Sequence, residues 1–403
     1  MTKAHVAGFL SMKKIPSLRH QTLGDTFSPH ANSLTIVRWL FAALVVVSHS
    51  FPLGGYHGGG DPTSTFFKGQ TDLGSISVAG FFVLSGFLIC RSYLSSNRLG
   101  LYLWRRIIRI MPAFWMALLL VAFVLAPLAW LHEHHSIHGY FSAGPASPWH
   151  YISANFFVSI YQWNISDLLH ATPFATTGHV MAWNGSLWTL RFEFICYVLL
   201  GIAGFVGVLR YRSLIVVATL FFYGVAVLHV LDPSYGTNVM PIFFSNDLAS
   251  LPFLFFLGAL FTLYQEKVIL DDRLGIAAVL LTIATLHEGG WTIIGLPVFA
   301  YALIWFVCRV RFSQFERIGD PSYGTYVYAF PIQMFLAEFG YSNLGHWSGR
   351  GGALAYITTS VALASLAGLL SWHLLEKHAL TLKQGVPGVT ALKRHFTRNP
   401  TPE

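Results

Sequence analysis

The first apolar run of the sequence carries two side chains that could do chemistry inside a membrane. It reads LTIVRWLFAALVVVSHSFPL, with Arg38 near its start and His49, eleven residues later, near its end. At 3.6 residues per turn the pair lies on one face of a helix, about 16 Å apart along its axis. Ionisable residues in such a helix are expensive and usually functional. The pair offers a permanent cation and a base that titrates near neutral pH. The alternative is a snorkelling arginine and a hydrogen-bonded core histidine.

Ser85 lies in a second apolar run that is rich in small residues, LGSISVAGFFVLSGFLIC. Glycine and serine let helix backbones approach closely, so we expect tight packing around Ser85 and Gly86. The Ser85 hydroxyl could in principle accept an acyl group, but no histidine or aspartate near it in sequence could activate it. The pattern therefore favours packing or substrate lining at Ser85.

Five arginines fall within the 19 residues from 91 to 109, directly after this run. Arg106 and Arg109 are three residues apart at the start of a predicted helix, so their side chains project to the same side. A guanidinium group matches the oxygens of a phosphate through paired hydrogen bonds. The cluster therefore indicates either a phosphate-binding site or an inner loop anchored by lipid phosphates.

Two further sets of polar residues need partners. Arg191 and Glu193 lie just inside the run WNGSLWTLRFEFICYVLL and, being two apart, point to different faces, so each needs a partner from another helix. The histidines of HEHH, residues 132–135, lack a second set of ligands at a recognised spacing, and we expect no metal there.

The elements that must position these residues are membrane helices. Charged residues make up 10% of the 403-residue chain and hydrophobic residues 54%, whereas about 25% of a soluble protein is charged. This composition excludes an ordinary soluble enzyme and a disordered chain. Apolar runs approaching the roughly 20 residues that span a bilayer occur at 34–53, 74–94, 107–130, 187–208, 214–231, 246–264, 274–287, 291–308, 322–341 and 352–374. The apolar stretch 151–163 is shorter, and we interpret it as interfacial or half-inserted.

The distribution of basic residues supports this count. With the N-terminus in the cytoplasm, 22 of the 25 lysines and arginines fall in inner segments, as the positive-inside rule requires. We therefore predict an all-α polytopic membrane protein with about ten transmembrane helices and both termini cytoplasmic. Its expected parts are an N-terminal tail (1–33), a transmembrane domain (34–374) and a basic C-terminal tail (375–403). The three cysteines are expected to be buried thiols.

Six motifs in chain order resemble the transmembrane acyltransferase 3 family, whose members acylate sugars and other acceptors of bacterial cell surfaces. They are Arg38 with His49 (Arg-x10-His), Phe81–Ile89 (FFVLSGFLI), Arg106–Arg109 (Arg-x-x-Arg), Ser186–Glu193 (SLWTL-x-x-E), Ser322–Tyr326 with Pro331, and Glu376–Lys377. Two positions depart from the common pattern. Ala79 stands where many members have aspartate, and Ala329 stands where many have histidine before Phe-Pro.

The resemblance implies an enzyme of the bacterial inner membrane that moves an acyl group, most often acetyl, from cytoplasmic acetyl-CoA or another acyl-CoA to a carbohydrate hydroxyl. It implies binding of the donor by Arg105, Arg106 and Arg109. His49 would be the general base or an acyl relay, Arg38 would bind the thioester arm or stabilise the oxyanion, and Glu193 would orient His49 or bind the acceptor. Four further residues are expected to line the substrate site or pack beside it: Phe82, Ser85, Trp188 and Tyr323. Apart from acyl-CoA, the carbohydrate and lipids, no metal cofactor and no nucleic acid is expected.

A transporter or flippase for a glycan or a lipid-linked precursor is the competing interpretation, because it would also be polytopic with buried Arg, His and Glu. Such proteins often contain two related halves, and the sequence shows no repeat of that kind. A transporter also does not need a pair of arginines at an inner site of nucleotide size.

Overall fold

In the computed structural model of the chain, the described residues are 21–29, 31–96, 98–142, 144–232, 250–312, 315, 317–343 and 350–384. Regular structure within these residues is helical, apart from one isolated bridge between Thr22 and Ile269. The helical fold class is therefore confirmed for the described part of the chain.

Each of the ten apolar runs contains a helix. We label them α1 (Leu34–Gly54), α2 (Leu73–Ser96), α3 (Leu99–His134), α4 (Gly185–Phe205), α5 (Arg212–Leu231), α6 (Ser250–Leu263), α7 (Asp272–Glu288), α8 (Trp291–Arg309), α9 (Ser322–Glu338) and α10 (Gly351–Lys383). Seven are long and apolar enough to cross a membrane, and the shorter three are α6, α7 and α9. The chain is thus a helical membrane protein, while the count of ten crossings and the sidedness of its termini stay predictions.

Two helices extend beyond their predicted bounds. Helix α3 begins at Leu99, so Arg105, Arg106 and Arg109 lie in its second and third turns and not in a loop. Helix α10 continues through residue 375 to Lys383 and contains a π-helical turn, Trp372–Glu376. The predicted boundary between domain and C-terminal tail therefore falls within a continuous helix. Most of both predicted tails, residues 1–20 and 385–403, lies outside the described residues.

Small residues bring α2 and α6 into backbone contact, as the sequence predicted. A Cβ atom on Gly86 would lie 1.8 Å from the carbonyl oxygen of Phe255, and one on Gly258 would lie 2.1 Å from that of Val83. Helix α1 packs against α2, α9 and α10. The helix that carries Arg38 and His49 is therefore enclosed by three neighbours.

The segment 151–163 does not form a spanning helix. A short helix, Pro148–Ala154, ends within it, and the side chain of the fully buried Asn155 accepts hydrogen bonds from the backbone N–H groups of Tyr161 and Gln162. Trp115 of α3 stacks on Phe156, with ring centroids 5.0 Å apart. The segment therefore lies along the flank of α3 and does not add an eleventh crossing.

Candidate active site

Two cavities contain nine of the ten predicted site residues. The smaller cavity, about 130 Å³, lies among α1, α2, α3, α4 and α9, and we name it the arginine cavity. The predicted residues that line it are Arg38, Phe82, Ser85, Arg106, Arg109, Glu193 and Tyr323. The larger, about 740 Å³, is the histidine cavity, and its predicted residues are His49 and Trp188. Arg105 lines neither cavity.

Arg38 and Arg109, which line the arginine cavity, share one carboxylate. Asp320, just before α9, lies 3.1 Å from Nη2 of Arg38 and 2.7 Å from Nη2 of Arg109. The other terminal nitrogen of Arg109 lies 3.2 Å from Glu376, at the end of the π-helical turn of α10. Burial raises the pKa of Asp320, but the two guanidinium groups outweigh it and hold that pKa at about 2. Asp320 is therefore ionised at neutral pH and fixes both arginines in place.

Arg106 has fewer partners than Arg109. Its buried Nε–H has no hydrogen-bond partner among the described residues, and its Nη2 donates a long bond of 3.4 Å to the Ser92 hydroxyl. Arg105 instead donates from Nε to the main-chain oxygen of Lys383 at 3.4 Å. Of the three arginines predicted to bind the donor, Arg106 thus has the most spare hydrogen-bonding capacity inside the cavity.

Glu193 has partners that sequence spacing could not reveal. Ser85, 108 residues earlier, donates its hydroxyl proton to Oε1 of Glu193 at 2.7 Å, and the Tyr197 hydroxyl donates to the same oxygen. Glu193 lines the arginine cavity, whereas His49 lines the histidine cavity. The structure therefore joins Glu193 to Ser85 and not to His49.

His49 lies at the histidine cavity with part of its polar surface unsatisfied. Its Nδ1 is buried without a hydrogen-bond partner among the described residues. The edge of its ring packs on Phe330, with centroids 5.5 Å apart. Ala329, at the position where related sequences carry a second histidine, is buried against Val46 and Ala364. His49 is thus the imidazole that α1 and α9 present to this cavity.

Two aspartates of the loop between α1 and α2 also line the histidine cavity, and sequence reasoning missed both. Asp61 accepts hydrogen bonds from the Ser48 hydroxyl at 2.5 Å and from the backbone N–H of Thr63 at 2.8 Å. Asp72 accepts from the backbone N–H of Ser75 at 2.7 Å. An aspartate before a helix start was the available signal, but it indicates only a helix cap.

A thin polar wall separates the two cavities. Val78, Thr189 and Tyr326 line both of them. The hydroxyl oxygens of Thr189 and Tyr326 are 2.5 Å apart and hydrogen-bonded, and Tyr326 donates to the main-chain oxygen of Ser186 at 2.8 Å. The arginine and histidine cavities are therefore neighbours divided by a pair of hydroxyl groups.

The HEHH segment makes aromatic contacts. The ring of His134 stacks on Trp130 and that of His132 on Phe339. Within the described ranges, no group of three or more histidine, cysteine, aspartate or glutamate residues is placed to hold a metal ion.

Comparison with known proteins gives the family. A family model described as "Acyltransferase domain" matches residues 32–370. The chain is 28% identical over 365 residues to a protein of Shigella phage Sf6 named "O-acetyl transferase", an alignment that covers 87% of this chain and 96% of the relative. It is 24% identical over 379 residues to "Nodulation protein 10" of Rhizobium leguminosarum bv. viciae, covering 88% and 95%. No solved structure matches the chain significantly. The chain belongs to the acyltransferase 3 family and is an acyltransferase of the membrane.

Proposed function

We propose that the protein transfers an acyl group, preferentially acetyl, from acyl-CoA to a hydroxyl of a cell-surface or lipid-linked carbohydrate. The observation that carries this proposal is the wall of Val78, Thr189 and Tyr326, since it places a cation-lined cavity beside one that holds an imidazole. The relative from phage Sf6 is named an O-acetyl transferase, which supports transfer to oxygen.

In this proposal the arginine cavity takes part of the donor, because a volume of about 130 Å³ is too small for a whole coenzyme A. Coenzyme A carries phosphate groups, and Arg106 offers a buried N–H that has no acceptor among the described residues. Arg109 and Arg38 are already paired with Asp320, so we assign them mainly to shaping the cavity and setting its potential. Ser85 and Glu193 lie beside them and would contact the thioester arm. The basic residues around this end lie on the side predicted to be cytoplasmic, where acyl-CoA is available in a bacterium.

The histidine cavity takes the acceptor. A sugar hydroxyl is a weak nucleophile until its proton is removed, and a neutral imidazole can remove it near neutral pH. The hydroxyl oxygen bonds to the thioester carbonyl carbon and the C–S bond breaks. The hydroxyl proton passes to His49 and then to the departing thiolate, which leaves as coenzyme A. An acyl-histidine relay is the alternative use of the same imidazole.

The acyl group has to pass the wall between the cavities. Arg38 and His49 lie about 16 Å apart along α1, too far for one small group to touch both. We infer that the thioester end of the donor opens the hydrogen bond between Thr189 and Tyr326. Because Tyr326 donates to the main-chain oxygen of Ser186, opening that bond frees the Thr189 hydroxyl to donate to the thioester carbonyl oxygen.

The test compares surface glycans of a bacterium that carries the gene, the His49→Ala variant or no gene. Mass spectrometry measures ester-linked acetate, with equal protein levels verified by immunoblot. We expect acetate only with the unaltered gene. Unchanged acetate in the variant would remove His49 from the chemistry, and equal acetate without the gene would overturn the proposed function.

A further inference from the structure

The charges around the histidine cavity identify the kind of sugar that fits it. We propose that this cavity accepts an uncharged or amino sugar and excludes acidic sugars such as uronic acids. The inference rests on the proposed function, because it assigns a substrate class to the acceptor side of that reaction.

The cavity carries negative charge without a basic counterpart. Asp61 and Asp72 line it, whereas no lysine or arginine does so among the described residues. Lys68, in the same loop, pairs with Glu288 at 3.2 Å, and about half of its side chain is exposed. A cleft lined by one sign of charge attracts ligands of the opposite sign and repels those of the same sign. A carboxylate on the ligand would therefore be repelled by these aspartates, and no guanidinium or ammonium group among the described lining residues would pair with it.

The carboxylates also keep capacity to bind a ligand. An ionised carboxylate can accept about four hydrogen bonds. Asp72 receives two, from the backbone N–H and the hydroxyl of Ser75. Sugar hydroxyls and ammonium groups are donors that such oxygens can accept. An acidic sugar adds further acceptors that these oxygens cannot satisfy.

The remaining lining suits a sugar ring. The indole rings of Trp188 and Trp291 line the cavity together with Gln70, so apolar ring surface alternates with polar groups. Two buried imidazole nitrogens that have no partner among the described residues, Nδ1 of His49 and of His229, complete the polar surface. The volume of about 740 Å³ lies within the range of small-ligand sites, roughly 300–1,000 Å³.

Charge-selective labelling tests the field of the cavity without knowledge of the acceptor. The native cysteines are buried and should react little. A Ser64→Cys variant therefore places one accessible thiol at the lining of the cavity. The matched control is Ser153→Cys, on an exposed segment. Rates of modification are measured with a cationic and an anionic methanethiosulfonate in membranes that contain the full chain. Relative to the control, we expect Ser64→Cys to favour the cationic reagent about tenfold. Adding Asp61→Asn and Asp72→Asn should bring that ratio close to the control value.

The second measurement locates the ester on the glycan. Fragmentation mass spectrometry should find the O-acetyl group on an uncharged or amino sugar. A ratio of cationic to anionic labelling in Ser64→Cys that equals the ratio in Ser153→Cys, or an ester located on a uronic acid, would overturn the inference. These outcomes are separate from failure of the proposed function, which shows as ester acetate that does not depend on the gene while the labelling ratio is unaffected.

Discussion

The arginine cavity and the histidine cavity differ in how their polar groups are satisfied. In the first, Arg38 and Arg109 are bound by the carboxylates of Asp320 and Glu376, and Ser85 by Glu193. In the second, the buried Nδ1 of His49 has no protein partner in the described part of the chain, and two aspartates face open volume. One cavity is thus held by its own ion pairs, while the other leaves a base free to react.

Helix α1 contributes to both cavities and explains why they can work together. Arg38 lines one and His49 the other, and the hydroxyl groups of Thr189 and Tyr326 separate them. Binding an anionic donor and activating an acceptor need opposite electrostatics, since cations favour phosphate but lower the basicity of an imidazole. In the proposed reaction, separating the two tasks along one helix avoids this conflict.

The largest effect is expected from His49→Ala, which removes the imidazole from the histidine cavity. We expect acyl transfer to fall by roughly 10²–10⁴-fold, as for loss of a general base, with donor binding unchanged. Transfer of labelled acetyl to glycan in membranes measures this loss. His138→Ala, at an exposed histidine outside both cavities, should keep full activity. Equal losses in the two variants would contradict the role of His49.

Asp320→Asn should damage stability more than any change at the histidine cavity. It leaves Arg38 and Arg109 without their shared charge, and breaking a buried ion pair costs about 3–5 kcal/mol. The midpoint of thermal unfolding in detergent is the measurement. Asp167→Asn is the control, because Asp167 forms an exposed pair with His170, and such pairs contribute about 0–1 kcal/mol. An unaltered midpoint in Asp320→Asn would show that the network is not needed for stability.

Arg106→Met tests the assignment of the donor to the arginine cavity. We expect KM for acetyl-CoA to rise about 10–100-fold with a smaller change in kcat, because a charged hydrogen bond contributes about 1.5–3 kcal/mol. Arg105→Met changes the adjacent residue, which lines neither cavity, and should alter KM little. If the two variants raised KM equally, general surface charge and not the cavity would bind the donor.

Thr189→Ala removes part of the wall between the two cavities. We expect the smallest effect here, a change in the preference among acyl groups. Removing a hydroxyl and a methyl group enlarges the passage, so butyryl transfer should gain about fivefold relative to acetyl transfer. Competition between the two donors in one reaction measures the ratio. Thr219→Ala, a buried threonine of α5 that lines neither cavity, is the control. An unchanged ratio of butyryl to acetyl transfer would show that the acyl group does not pass beside Thr189.

Local periodicity predicted much of this arrangement. The eleven-residue spacing places Arg38 and His49 at separate levels of one helix, and the small residues around Gly86 predicted close packing there, although not that α6 would be the partner. Apolar composition located the ten helical runs, because hydrophobicity can be read locally from the sequence.

The partners were not predictable, because they depend on how helices pack. Glu193 meets Ser85 across 108 residues, and Arg109 meets Asp320 across 211. Asp61 caps the short helix Pro62–Phe66, and nothing in the sequence indicates that its loop also brings it to the cavity. Sequence reasoning left Glu193 either to orient His49 or to bind the acceptor, and it did not predict the hydrogen bond from Ser85 that the packing of α2 on α4 allows.

Protection of the purified protein by coenzyme A tests the central claim of separate donor and acceptor cavities most directly. A ligand that binds the native state adds about 2.7 kcal/mol to the free energy of unfolding when its concentration is about 100 times its Kd. The midpoint of thermal unfolding rises as a result. We expect equal protection of the unaltered protein and His49→Ala, and weak protection of Arg106→Met. Loss of protection in His49→Ala with full protection in Arg106→Met would contradict separate donor and acceptor cavities.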